Sequence, residues 1–344
     1  MAKKKTQSTG IAAIAEQLNV SKATVSLVMN GRAKKAGVAD ATAERVIKLA
    51  KELNYHPNRW ARQLCRQRSN VVCVLFSDLR NDWAQDIMEG AGPVLSGSDY
   101  LPLIGTHNYE YEFEKKEIEQ AISRKDDGIL CQPVPGHKEL YLDILKNQVP
   151  FVFVGDSLEQ FPEANSVVWN CKPAARKAVE YLIDKGRRRI GFVGNKVMTA
   201  SHISRYQTYT EVLGRAGLAK NEDYLFIADG LVCPKFNIEK IEAMFSNKKN
   251  APDAFFALND SLAYPLISAL SNIGIKVPDD VAVIGMCDLP LSGDHGAGLT
   301  TIREPLQEIG RRSAEIILQL IENPQSGPYH ELIDGGELVV RRTV

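Results

Sequence analysis

The side chains able to do chemistry are distributed in a way that argues against catalysis. The six cysteines, Cys65, Cys73, Cys131, Cys171, Cys233 and Cys287, form no C-x-x-C pair and have no histidine close by, and His107, His202 and His295 show no metal-ligand spacing. That pattern predicts neither a zinc site nor a redox dithiol, only free buried thiols in a reducing cytosol, and no cofactor. IGFVGN (190–195) sets two glycines behind a strand-like run, but no G-x-G-x-x-G, P-loop or nucleophile elbow occurs. A sugar-processing or nucleotide-binding α/β enzyme is therefore not expected.

Positive charge is the chemistry that does concentrate. The chain is balanced overall, with 42 basic and 42 acidic side chains, yet residues 1–69 carry fourteen Lys/Arg against four acids, a net +10 that leaves −10 for the remainder. A module this basic, attached to an acidic body, is the electrostatic footprint of a nucleic-acid-binding domain with a sensor or assembly domain behind it. A solvated tail would account for Lys3, Lys4 and Lys5 but not for the rest.

The elements that must position this charge can be read from periodicity. Ile11 to Asn30 reads as two short helices: Ile11, Ile14, Ala15 and Leu18 share one face of the first, and Val25, Val28 and Met29 one face of the second. Asn19 suits the left-handed turn between them, and Ser21 stands at the N-cap of the second helix with Val20 before it. Lys22, Ala23, Thr24 and Ser26 then project from the start of that helix, short or flexible enough to reach base edges or phosphates. An ordinary helical hairpin would show the same periodicity, and the surrounding charge is what favours DNA. A third helix, 41–53, ends in NYHPN, where Pro57 forces a break and Asn58 can cap a short helix through Arg59, Trp60, Ala61, Arg62, Gln63, Leu64 and Cys65.

From residue 71 onward, β-branched runs alternate with amphipathic stretches of helical length, the pattern of a parallel α/β sheet. Strands are expected at 71–76, 101–106, 128–131 and 151–154, then at 189–193, 224–228, 254–258 and 281–284, which makes two doubly wound lobes in tandem. Ligands bind beyond the carboxyl ends of such strands, so two facing lobes would share one cleft. The length and the 44% hydrophobic and 24% charged composition suit two or three globular domains and exclude the disordered and fibrous classes. With no signal-like apolar run and no stretch of eighteen uncharged apolar residues, the protein is expected in the cytoplasm, away from membranes.

Specific blocks then carry a family resemblance. VSKATVSLVMNG (20–31), LNYHPNRWARQL (53–64), KGRRRIGFVG (185–194), PDAFFALND (252–260), VPDDVAVIG (277–285) and LTTIREPLQEIGRR (299–312) occur in the order expected of the lactose/galactose repressor (LacI/GalR) family, which the chain resembles from residue 10 to 344. The resemblance implies an α/β protein with an all-α helix-turn-helix headpiece (1–57), a hinge helix (58–68) and a periplasmic-binding-protein-like core (69–344). The N-lobe would be about 69–166 plus 299–323, and the C-lobe about 167–298 plus 324–344. It also implies a sequence-specific regulator, most simply a repressor, that binds a near-palindromic double-stranded operator as a homodimer or higher oligomer and responds to a small-molecule effector, a sugar or sugar derivative.

DNA contacts are expected from Ser21, Lys22, Ala23, Thr24, Ser26, Leu27 and Asn30, and from Tyr55. In the hinge they are expected from Asn58, Arg59, Ala61, Arg62 and Leu64, with Leu64 as an apolar wedge in the minor groove and Ala61 its neighbour. Leu64 as one more core leucine is the plainer alternative. Leu27 stands where the family commonly has arginine, Trp60 replaces a smaller aliphatic residue, and the 30–38 loop is longer than usual, so a divergent operator is expected.

Effector contacts are expected, by matching family positions, from Asn81 and Trp83, from Gly155 and Asp156, from Arg205, Asn259 and Asp260, from Cys287 and Asp288, and from Glu304. Arg205 suits a forked grip on hydroxyls or carboxylates. Trp83 suits stacking on a sugar face or planar ring, though a core role fits it nearly as well. Asn259 and Asp260 could equally cap the following helix. Gly155 and Cys287 fill two positions where acids are expected, each followed by an acid, which points to a local register slip or to a ligand other than an ordinary hexose. An exported binding protein would share the two lobes but has no use for a basic headpiece. A repressor that ignores small molecules or answers to a protein, with a vestigial cleft, is the remaining alternative.

Overall fold

The computed structural model describes residues 10–55, 68–79, 83–156, 161–196, 199–228, 237–247 and 250–344. The chain divides into two compact units, Met1–Ser69 and Asn70–Val344.

In the first unit, helices α1 (Ile11–Leu18), α2 (Lys22–Met29) and α3 (Asp40–Glu52) enclose a core of Ile14, Ala15, Val25, Val28, Val46 and Ala50. The apolar spacing read from the sequence is the core-facing side of α1 and α2, with Ile14, Ala15, Val25 and Val28 buried and Ile11, Leu18 and Met29 packed against them. Asn19 adopts φ 53°, ψ 47°, the left-handed conformation that lets the chain turn, and its N–H bonds back to α1 carbonyls. Ser21 caps α2, its side chain accepting a hydrogen bond from the Thr24 N–H at 3.0 Å.

The second unit is built on two parallel sheets. In one, strands β1 (Val71–Phe76), β2 (Leu101–Thr106), β3 (Gly128–Cys131), β4 (Phe151–Gly155) and β5 (Asn165–Trp169) are joined late in the chain by β11 (His330–Ile333), in the order β11-β5-β4-β3-β1-β2. The other holds β6 (Ile190–Asn195), β7 (Leu225–Ala228), β8 (Ala254–Ala257) and β9 (Ala282–Ile284) in the order β7-β6-β8-β9. All neighbours in both sheets run parallel, as the alternation of strands and helices requires. A short antiparallel pair, β10 (Thr301–Arg303) with β12 (Glu337–Val339), lies at the crossover between the lobes.

Two lobe boundaries differ from expectation. β5 extends the first sheet to Trp169, beyond the expected limit at 166, and β11 returns residues 330–333 to that sheet although 324–344 were expected in the C-lobe. Only the segment after β12 rejoins the second sheet, where the Val283 N–H donates to the Thr343 carbonyl at 2.8 Å. NSVVW and HELI do not stand out as strands in the sequence; β5 is held between β4 and β11, and β11 is held by β5.

The two helices that flank the N-lobe's share of the crossover, Trp83–Gly97 and Leu306–Glu322, pack backbone to backbone. A Cβ at Gly90 would lie 1.8 Å from the Gln307 carbonyl oxygen, and one at Gly310 would lie 1.9 Å from that of Ile87. This reciprocal glycine contact fixes the helix that starts with Trp83 against the one that starts just after Glu304.

Candidate DNA-reading surface and inter-lobe cleft

The headpiece presents Ser21, Lys22 and Ala23 exposed at the start of α2, with Thr24, Ser26 and Leu27 half-buried behind them. Two other expected contacts have local duties. The Asn30 amide donates to the Ser26 carbonyl at 2.8 Å and Oγ at 3.2 Å, closing the end of α2, and Tyr55 packs against the headpiece core. Asn58, Arg59, Ala61, Arg62 and Leu64 lie outside the described residues, as does Asn81.

In the second unit, the loops beyond the carboxyl ends of both sheets converge on a narrow cleft, divided into cavities of about 70 and 40 Å³. Trp83, Arg205 and Glu304 line both; Asn259 and Cys287 line the larger, and Gly155 and Asp156 the smaller. These volumes admit a few waters, well short of the ~300 Å³ or more of a drug-sized ligand pocket, so a ligand of hexose size requires the lobes to part.

Arg205, from the Ala200–Arg215 helix, sits at the centre and is buried. Its Nη1 donates to the Leu258 carbonyl at 2.9 Å, its Nη2 to Glu304 Oε1 at 2.8 Å, and its guanidinium lies 5.3 Å from the Trp169 ring. Burial works against the charge, and the Glu304 carboxylate beside it more than restores it, so the guanidinium pKa is raised. Two residues expected to face the ligand therefore face each other. The Cys287 thiol donates to the same Glu304 oxygen at 3.2 Å, and burial, then the Glu304 charge, push it well above the ordinary thiol range.

Asp260 and Asp288 are both engaged within the protein. Asp260 is buried beneath the cleft, accepting from Thr301 Oγ1 at 2.6 Å, Ser292 Oγ at 2.6 Å and the Leu289 N–H at 3.0 Å. Its carboxylate ties β10 and the 289–292 turn to the start of its own helix. Asp288 is held between Arg303, at 2.8 Å, and Arg341, at 2.7 Å, and lines no part of the two cleft cavities. Asn259 serves both readings: its Oδ1 caps the Asp260–Asn272 helix through the Leu262 N–H at 3.1 Å while the residue lines the larger cavity.

The glycine at 155 has a steric reason. Its φ is +73°, and a Cβ there would lie 2.4 Å from Cζ2 of Trp83, whose indole occupies the space of a side chain and meets Phe76 edge-on. Gln132, Tyr109, His202 and Trp169 also line the walls, although the sequence does not single them out as contacts. Gln132 and Trp169 stand at the carboxyl ends of β3 and β5, so the strand-end rule finds the first once β3 is placed, but the second only once β5 is known.

Behind Gln132, Glu114 is fully buried. Its Oε1 accepts from the Val134 N–H at 2.9 Å, from Tyr141 Oη and from the Cys131 thiol at 3.5 Å, while Oε2 has no partner among the described residues. Burial raises its pKa to about 7 and lowers that of nearby His107 to about 4. His107, Glu114 and Cys131 place ligand-type atoms within 4.8 Å of one another, but both ring nitrogens of His107 are engaged, with the Gln132 carbonyl at 2.8 Å and the Tyr109 N–H at 3.2 Å. The cluster thus offers no uncommitted imidazole lone pair to a cation.

A three-helix unit with a capped recognition-type helix, followed by two parallel lobes around a cleft, defines a transcriptional regulator with a binding-protein-like core. Residues 10–58 match the bacterial regulatory proteins of the lacI family, and residues 179–344 the periplasmic binding protein-like domain. The chain is 30% identical over 340 residues to the HTH-type transcriptional repressor PurR of Vibrio campbellii, covering 96% of this chain and 97% of that protein. Among solved structures it is similar to the lac repressor dimer bound to operator and the anti-inducer ONPF (TM-score 0.80, 22% identity, 97% and 98% of the two chains). It is also similar to the transcriptional regulator CelR in complex with cellobiose (TM-score 0.68, 25% identity, 97% and 99%). The chain belongs to the lacI family: it is a DNA-binding transcriptional repressor and not an enzyme.

Proposed function

We propose that the protein binds a near-palindromic operator as a homodimer and that a small molecule of the sugar or sugar-derivative class, held between the lobes, changes its operator affinity. The observation that carries the effector reading is the convergence of Trp83, Asp156, Arg205 and Asn259 on one cleft at the carboxyl ends of both sheets. The cellobiose bound by the similar CelR supports the ligand class. Homodimerisation is supported by the edge strand β2, which exposes Leu101, Leu103 and Ile104 beside Phe113; an apolar edge of this kind calls for cover, and a second copy provides it symmetrically. The hinge reading of 58–68, with Asn58, Arg59, Ala61, Arg62 and Leu64 at the DNA, rests on the sequence resemblance. The working place of such a repressor is the cytoplasm; no helix among the described residues is long and apolar enough to cross a membrane.

The test is a thermal-shift screen of the purified chain against sugars, sugar phosphates, sugar acids and nucleobases, followed by operator binding with each hit. A hit that also shifts operator affinity is the expected result. Stabilisation by no compound, with operator affinity unresponsive to all, would favour the ligand-independent or protein-regulated repressor, a second reading that the small volume of the cavities favours.

A further inference from the structure

Arginine in a cleft ordinarily invites a carboxylate or phosphate, because its fork of donors matches two oxygens. In this cleft its charge is already matched. One terminal nitrogen of Arg205 is on the Leu258 carbonyl and the other on Glu304. Nε has no hydrogen-bond partner among the described residues and each terminal nitrogen keeps a second N–H, so donors remain; what Glu304 removes is the net charge that would draw an anion to them. The ion pair is almost dry, with side-chain exposures of 6% for Arg205 and 3% for Glu304, so the two charges cancel locally with little help from water.

Among the described residues, Asp156 on the cavity wall is an acid and is itself 5% exposed, and His202 lines both cavities. An anion entering beside Arg205 would therefore meet a guanidinium whose charge Glu304 already cancels, with the Asp156 carboxyl on the same wall. The remaining wall offers an indole at Trp83 and uncharged hydrogen-bonding groups at Gln132 and Asn259, which suit hydroxyl-rich or amide-bearing ligands.

We propose that Glu304 is the charge-specificity residue of the cleft: by occupying Arg205 it reserves the site for uncharged polar ligands and excludes carboxylates and phosphates. The proposal rests on the reading of the cleft as a small-molecule site and narrows it. Removing the carboxylate while keeping the shape, as in Glu304→Gln, leaves a buried guanidinium short of a counter-charge, and an anion in solution becomes its natural replacement.

The experiment is calorimetric titration and thermal shift of the full-length wild-type chain and Glu304→Gln with three related probes: D-glucose, D-gluconate and glucose 6-phosphate. Far-UV circular dichroism establishes that the variant is folded. The expected result is that neither anion binds the wild type measurably, while at least one binds the variant about tenfold tighter or better, a modest share of the coupling known for close charge pairs. A wild type that binds gluconate or glucose 6-phosphate more tightly than glucose overturns the proposal. So does a folded variant that gains no affinity for either anion. Should Glu304→Gln fail to fold, Asp156→Asn, which leaves the ion pair intact, must shift the same preference toward anions, and its failure to do so also overturns the proposal. These outcomes stay separate from the sensor reading, which fails only if no compound of any charge stabilises the wild type in the broad screen above.

Discussion

Ser21, Glu114 and Asp260 show how much single side chains determine here. Ser21→Ala removes the acceptor for the Thr24 N–H and should cost the headpiece about 1 kcal/mol, read from urea or thermal unfolding of the headpiece signal. Burial raises the carboxyl pKa of Glu114 and of Asp260 to about 7, from ordinary values of 4.5 and 3.8. A folded-state pKa above the unfolded one means that the stability tied to the proton is complete below the unfolded value and is lost as pH rises through about 7. His107 runs the other way: burial lowers it from 6.5 to about 4, so its contribution is present above 6.5 and lost as pH falls through about 4. With two acids opposing one histidine, the core should melt at a higher temperature at about pH 6 than at about pH 8. Glu114→Gln should shrink that difference, and an equal or larger difference in the variant would show that Glu114 does not carry it.

Among the elements, the reciprocal glycine contact between the Trp83–Gly97 and Leu306–Glu322 helices is the least forgiving. The atoms that a new Cβ would strike, the carbonyl oxygens of Gln307 and Ile87, belong to backbone and cannot swing aside. Gly310→Ala should therefore push the helices apart and destabilise the core by about 1–3 kcal/mol or more, measurable as a fall in melting temperature, whereas Gly92→Ala, in open space on the same N-lobe helix, should have little such effect. Because these helices begin at Trp83 and just after Glu304, a shift between them would also be felt in the cleft. At Arg205, truncation to Ala leaves the Glu304 carboxylate buried without its cation; the core should lose about 3–5 kcal/mol, and any effector response with it. A variant as stable as the parent would show that the ion pair is not formed in solution.

On the scale of the whole chain, charge segregation is the dominant feature. With +10 gathered in the first 69 residues and −10 behind them, operator binding should weaken on the order of a thousandfold between 50 and 200 mM salt if six or more phosphates are neutralised. A flat salt profile would separate the positive charge from DNA binding. A two-fold operator is the matching expectation, since one short α2 reads few base pairs, and footprinting of a single asymmetric half-site would count against the dimer.

How much of this was legible beforehand follows the range of the interactions. The three headpiece helices, the Ser21 cap, the left-handed Asn19 and eight of the core strands are encoded by neighbours a few residues apart, and periodicity, capping chemistry and family-like blocks were enough to place them. Several of the residues at the cleft, Trp83, Asp156, Arg205, Asn259, Cys287 and Glu304 among them, were named in advance by matching family positions, while the strand-end rule gave only the cleft's general place. What each of them does there was decided only by tertiary packing. Whether Arg205 faces a ligand or Glu304, whether Asp260 reaches the cavity or anchors β10, and why residue 155 must be glycine depend on groups tens of residues away in the chain. The same holds for β11, which joins the first sheet by pairing with β5 more than a hundred and fifty residues earlier in the chain. A sequence states propensities locally; partners for a buried charge or an open strand edge exist only once the chain has folded.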